Sequence, residues 1–293
     1  AFNFDRPNDE PLPTLAGRTT KAQADALTAA QQALPKIVPP LDAALPAQAT
    51  GVRPSRALPY ELHTSARSDV RNGRVQLLFA NSGRAAAVFH VYDKLHLDRL
   101  PRRYVVEPGK QLDGQWAAMN DDAGLYDLWV LGPNGFHRHF KGDLNRLRAS
   151  GVPEPEIRIG YDTRRGDLHL QLRNDGRRDC RFTVQSNKSY PRPHVFQGGG
   201  NDRNDDRGHG HDKDRRDDDD RGTYGHNPDG SWSVRVKGGN DTSLRWSLED
   251  SGQWYDFVVT CDADASFYRR FAGRVETGRH SVSDPAMGMA DRF

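Results

Sequence analysis

Apolar and polar positions alternate along much of this chain, in short runs separated by turn residues. Val75, Leu77 and Phe79 alternate with polar neighbours, and Asn81-Ser-Gly83 then turns the chain into a return strand over Val88 to Tyr92. A further strand is predicted within Leu112 to Met119, anchored by Trp116, and another over Leu125 to Leu131, which holds aromatic and branched residues without Pro or Gly. Gly132-Pro133-Asn134-Gly135 supplies turn chemistry, since Pro presets φ while Asn and Gly tolerate positive φ. Beyond it Phe136, Arg138 and Phe140 alternate with His137, His139 and Lys141, the period of a half-buried strand.

The same pattern returns. Leu168, Leu170 and Leu172 follow Val75, Leu77 and Phe79 at a spacing of 93 residues, and Asn174-Asp-Gly176 follows Asn81-Ser-Gly83 at the same spacing. Phe182 and Val184 replay Phe89 and Val91. Farther along, Trp246 matches Trp116, Tyr255 matches Tyr126, Asp256 matches Asp127, Phe267 matches Phe136, Arg269 matches Arg138 and Gly273 matches Gly142. This is a duplicated β-structural unit. In each copy Asp and Gly precede a Tyr that opens a strand, at Asp122 to Tyr126 and at Asp250 to Tyr255. The arrangement resembles the tyrosine corner of immunoglobulin-like sandwiches.

At Trp246 the spacing has grown from 93 to 130, so 37 residues have entered the second copy after Val184. They are found in Gly198 to Gly230, made almost wholly of Asp, Arg, Gly, His and Asn. Such a stretch has too little apolar surface to offset its ordering entropy, and a disordered loop is expected. Its run Asp217 to Asp220 with His209 and His211 suggests cation binding, but it lacks the spacing of a calcium loop, and Arg203, Arg207, Arg215 and Arg216 would oppose a cation. Residues 1–53 are Pro-rich apart from a short helix over Lys21 to Leu34, with Thr19 or Thr20 as its cap. The organisation expected is a tail and linker over 1–53, a first β-sandwich over 54–150 and a second over 151–293 with the insertion at 198–230.

Charge and chemistry narrow the function. The chain has 293 residues and a net charge of +2, a near balance that argues against a nucleic-acid binder. No apolar run approaches a membrane span. Ala1 is not an initiator Met, and the chain is expected to be a piece of a longer or processed product. The two cysteines, Cys180 and Cys261, are compatible with a disulfide in an exported protein or with two buried thiols. No catalytic motif is found, and no cofactor and no metal-ligand set are expected. His137 and His139 share a strand face but are replaced in the second copy by Tyr268 and Arg270, so exposed, non-liganding histidines are expected. Asp127 and Asp256 are expected to make structural hydrogen bonds, and Arg138 and Arg269 to bridge strands or cover apolar surface with their stems. The segment from Asp93 to Tyr104 interleaves Lys94, Arg99, Arg102 and Arg103 with Leu95, Leu97, Leu100 and Tyr104. That mixture suits a phospholipid interface as well as a charged strand pair.

The words of the sequence also match a family. Phe4-Asp-Arg-Pro-Asn-Asp-Glu-Pro-Leu-Pro, Gly51-Val-Arg-Pro-Ser-Arg-Ala-Leu-Pro-Tyr-Glu-Leu62, the paired Tyr-Asp and Phe-x-Arg-x-Phe-x-Gly units, and Gly273-Arg-Val-Glu-Thr-Gly278 with Ser283-Asp-Pro285 resemble the C-terminal third of bacterial phosphocholine-preferring phospholipases C. The resemblance implies two copies of a small C-terminal β-domain behind an upstream catalytic domain, in a secreted or periplasmic protein that cleaves phosphatidylcholine-like lipids to diacylglycerol and phosphocholine. The family's nucleophile and metal ligands belong to the upstream domain, so no catalytic residue carries over. The fold expected is all-β: two tandem immunoglobulin-like or fibronectin-like sandwiches behind an extended linker with a short helix. Its partners would be the upstream domain and a phospholipid surface, with no nucleic acid and no transmembrane segment. A purely structural module, or one that binds carbohydrate or protein, is the alternative.

Overall fold

The computed structural model describes residues 20–36, 38, 49–190, 194–197, 224–226 and 229–288. They fall into two compact units, divided between Thr50 and Gly51. In the first, α1 (Lys21–Gln32) begins with a capping box: the Thr20 hydroxyl accepts from the Gln23 amide, and the Gln23 side chain accepts from the Thr20 amide. None of its residues is buried. The tail Ala1 to Leu15 lies outside the described residues.

The second unit is all-β, and its paired strands are antiparallel. The first repeat holds β1 (Pro54–Ser55), β2 (Leu62–Asp69), β3 (Arg74–Asn81), β4 (Ala87–Asp93), β5 (Arg102–Val106), β6 (Lys110–Trp116), the single turn α2 (Ala118–Asp121), β7 (Leu125–Leu131), β8 (His137–Asp143) and the turn α3 (Leu144–Leu147). The second holds β9 (Pro155–Asp162), β10 (Asp167–Asn174), β11 (Cys180–Ser186), β12 (His194–Gln197), β13 (Tyr224–His226), β14 (Trp232–Val236), β15 (Asn240–Ser247), β16 (Trp254–Cys261), β17 (Asp264–Arg274) and β18 (Ser281–Val282). β1 and β18 pair with each other.

The duplication is preserved in the register. Val75 faces Trp116 across β3 and β6, and Leu168 faces Trp246 across β10 and β15. Ala87 faces Val106 in one copy and Cys180 faces Val236 in the other. Both Trp side chains are buried. Asn81 and Asn174 are buried at equivalent turns, where each side-chain amide donates to two backbone carbonyls. In the first copy the sheet β2-β3-β6 packs on the strands around β4, with the Phe79 ring 5.3 Å from Phe89 and stacked on Tyr104 at 4.4 Å. In the second, Trp246 of the sheet β12-β15-β10-β9 meets Phe257 at 4.7 Å.

The insertion enters at one place. β4 and β5 are joined by residues 94–101, and the equivalent β11 and β14 by residues 187–231, which is 8 residues against 45 and accounts for the full excess of 37. The stretch Gly198 to Gly230, expected to lack structure, contains β13, which pairs with β14; β12 likewise adds to β15. Asp217 to Asp220, His209 and His211 lie outside the described residues.

What the sequence reading did not contain is a single sheet through both copies. The order β13-β14-β11-β16-β17-β8-β7-β4-β5 joins them where β8 pairs with β17. Phe271 faces Arg138, Arg270 faces His139 and Arg269 faces Phe140. Each residue thus meets the counterpart of its own partner, and a local twofold axis passes between His139 and Arg270. This is the geometry of an isologous interface within one chain.

Two buried arginines lie beside that axis. Arg138 donates to the carbonyls of His137 and Ala272, both at 2.7 Å, and to the Tyr255 hydroxyl at 2.8 Å. Arg269 donates to the carbonyls of Tyr268 and Lys141 at 3.0 and 2.7 Å, and to the Tyr126 hydroxyl at 3.0 Å. Each Arg therefore bonds the Tyr of the other copy. This corrects the tyrosine-corner reading: the Tyr126 and Tyr255 hydroxyls meet the opposite repeat's guanidinium, not their own upstream backbone. It also explains two glycines. A Cβ on Gly142 would stand 2.4 Å from the Tyr126 hydroxyl, and one on Gly273, at φ 151°, 3.1 Å from that of Tyr255.

The two arginines differ in counter-charge. Glu156 grips Arg269 through two parallel bonds of 2.9 Å. Burial would lower the Arg269 pKa, but Glu156 and Tyr126 raise it above its ordinary value. The equivalent of Glu156 in the first copy is His63, whose pKa burial lowers. Arg138 instead donates to Tyr161 at 2.7 Å and lies 4.0 Å over the Phe136 ring, while its Nε has no partner among the described residues. Removing one member of a buried ion pair costs about 3–5 kcal/mol, because the other charge stays behind. Glu156→Gln should lower unfolding stability in denaturant melts by about 3 kcal/mol, and Glu156→Leu with Arg269→Met should recover most of it. Equal losses in the single and double variants would show that the ion pair is not what holds this position.

Candidate functional site

Three places gather chemistry: the outer face of the nine-stranded sheet at the seam, the 94–101 connection, and the cysteine pair. On the outer face each copy sets a carboxylate against a basic side chain, each one strand position beyond the Tyr and Arg of the buried face. Asp127 meets His139 Nε2 at 2.6 Å, and Asp256 takes two bonds from Arg270 at 2.8 and 2.7 Å. Burial alone would push Asp256 up, but the bonds from Arg270 and Asn187 hold its carboxyl below the usual carboxylate range.

The histidines depart from expectation. His139 is buried, 4.9 Å from the Tyr268 ring, and His137 is half-buried with its ring edge towards Trp129 at 6.1 Å. The sequence placed them on one face correctly, but pairing with β17 supplies the cover, and that pairing is not visible in local spacing. Burial, then the charges of Arg270 and His139, push the His137 pKa down to about 4.

The 94–101 connection leaves β4 and returns into β5. Leu95, Leu97 and Leu100 are exposed, Leu100 at 92%, and Arg99 and Arg103 are exposed beside them. Other members of the expected interface are occupied. Lys94 lies 4.4 Å over the Trp129 ring, Arg102 4.5 Å over Trp116 while donating to the Gln115 carbonyl, and Tyr104 packs on Phe79. At the base of the connection His96 Nε2 and Asp122 Oδ1 are 2.5 Å apart, with Asp93 alongside. The Asp93 carboxyl is raised, chiefly by burial.

Cys180 and Cys261 are buried free thiols on the paired strands β11 and β16. The bridge that the sequence left open is not formed here. A polar groove of about 380 Å³ also runs between the copies, lined by Arg67 and Ser68 of β2 and by Glu156, Arg158 and Arg173 of β9 and β10.

His137 makes stability depend on pH in a defined direction. Its folded pKa, about 4, lies below the ordinary 6.5. Between those values the unfolded chain holds the extra proton, so stability is full above pH 6.5 and falls as pH drops towards 4. His137→Tyr, which installs the residue found at the matching position of the second copy, should flatten the decline of Tm between pH 6.5 and 4 in calorimetry. An unchanged slope would assign that decline to other groups.

Comparison with known proteins gives this architecture a family. Residues 54–143 and 155–274 each match the bacterial phospholipase C, C-terminal domain. The non-hemolytic phospholipase C of Pseudomonas aeruginosa is 41% identical over 290 residues, which is 99% of this chain and 36% of that protein. The non-hemolytic phospholipase C of Burkholderia pseudomallei is 36% identical over 86% of this chain and 30% of its own length. The hemolytic phospholipase C of Pseudomonas aeruginosa is 32% identical over 84% of this chain and 31% of its own length. The chain therefore spans about a third of these relatives. With two matching segments laid over two copies of one β-unit, the chain belongs to the bacterial phospholipase C C-terminal domain family.

Proposed function

We propose that this chain is the non-catalytic C-terminal region of an exported bacterial phospholipase C. Its upstream domain would hydrolyse phosphatidylcholine-type lipids to diacylglycerol and phosphocholine. The region supports that domain and brings the 94–101 connection to the lipid surface. Family membership supports the first part, and the exposure of Leu95, Leu97 and Leu100 beside Arg99 and Arg103 supports the second. A fully buried Leu gains about 1.5–3 kcal/mol, and basic residues near an anionic surface add to that.

A purely structural role is the competing reading, and one observation favours it: Lys94 and Arg102 lie over the Trp129 and Trp116 rings, where they serve the fold. Co-sedimentation with vesicles of phosphatidylcholine containing an anionic lipid separates the two. The lipid reading expects binding that Leu97→Asp with Leu100→Asp lowers at least tenfold while the far-ultraviolet spectrum is unchanged. No sedimentation of the unaltered chain would leave the structural role. The chain alone should release no phosphocholine from phosphatidylcholine, and release by the purified chain would overturn the non-catalytic assignment.

A further inference from the structure

The side chains of Asp93, His96 and Asp122 converge from three separate backbone positions. Asp93 ends β4, His96 lies in the connection that follows, and Asp122 ends α2 just before β7. One ligand atom from each lies within 4.8 Å of the other two, and all three residues are half-buried. The backbone already holds the set in place. The His96 amide donates to the Asp93 carbonyl, the Lys94 amide to the Asp127 carbonyl, and the Asp122 amide to the Ala118 carbonyl.

Two further observations set this group apart from an ordinary polar corner. Among the described residues, neither Asp93 nor Asp122 has a Lys or Arg within ion-pair distance; His96 is the basic partner of Asp122. The fold does not need the Asp93 carboxylate either: the register that aligns the two copies puts Ser186 where Asp93 stands.

We propose that Asp93, His96 and Asp122 form a binding site for a divalent transition-metal ion, Zn²⁺ foremost. One imidazole nitrogen and two carboxylate oxygens suit Zn²⁺, whereas an all-oxygen set would suit Ca²⁺. Three protein ligands leave a fourth position for water. Bound there, the ion replaces the His96–Asp122 hydrogen bond, balances both carboxylates and ties the 94–101 connection to the start of β7. The site does not depend on the lipid reading of the neighbouring leucines.

Isothermal titration of the full chain with Zn²⁺ tests the proposal. One equivalent should bind to this site, and Asp93→Ser and His96→Gln should each weaken that binding at least tenfold. Circular dichroism of the metal-free variants checks their fold. Asp93→Ser decides the matter if His96→Gln does not fold, because the second copy already carries Ser at that position. Co²⁺ substitution gives an independent readout, with d–d bands of a nitrogen and oxygen site expected. Absence of stoichiometric Zn²⁺ binding would overturn the proposal. So would binding undiminished in both variants, which would move the ion to other histidines such as His209 and His211. A Co²⁺ spectrum with thiolate charge transfer would place the ion at Cys180 and Cys261 and overturn it as well.

Discussion

The exchange of Arg138 and Arg269 across the seam is the contact on which the second unit depends. A guanidinium out of water must satisfy its donors or destabilise the fold. Here each one meets two backbone carbonyls and a tyrosine hydroxyl, and the acceptors come from both copies of the repeat. Neither copy can supply that set alone. The pairing of β8 with β17, the lack of a Cβ at Gly142 and Gly273, and the burial of His139 beneath Tyr268 all follow from bringing these two side chains together.

Much of the strand pattern was legible because it is local. Period-two alternation at Val75, Leu77 and Phe79, and again at Leu168, Leu170 and Leu172, gave the strands and the face each one buries. The spacing of the repeat located the insertion at the connection where it occurs. Arg138 was also visible on the apolar face, since Phe136, Arg138 and Phe140 share one parity. What could not be read was the partner. Tyr126 and Tyr255 carry the local signature of a corner, yet their hydroxyls bond to residues more than a hundred positions away. Only a rule that a buried Arg flanked by Phe must find a distant acceptor would have pointed to the seam.

The candidate site was legible in a different way. The interleaving of Leu with Lys and Arg over 94–104 marked an unusual segment, but it did not separate residues that serve the core from those that face solvent. Tyr104 packs on Phe79 and Arg102, itself exposed, lies over Trp116, whereas Leu97 and Leu100 stand exposed in the connection before β5. His96 and Asp122 are far apart in sequence, and their meeting depends on how α2 leads into β7. The same connection carries the Asp- and His-rich insertion in the second copy. The fold holds its strands in common and lets this one link diverge, which is where surface function is expected to collect.

The local twofold at His139 and Arg270 has an evolutionary consequence. Two identical copies of the repeat, as separate chains, could pair through the same strand with every contact doubled, so the present chain has the form of a homodimer that became covalently continuous. Within one chain the halves are free to differ. Glu156 faces its arginine in one half, while His63 stands in its place in the other. Asymmetry of that kind is closed to a true homodimer, in which any change appears on both sides of the axis at once.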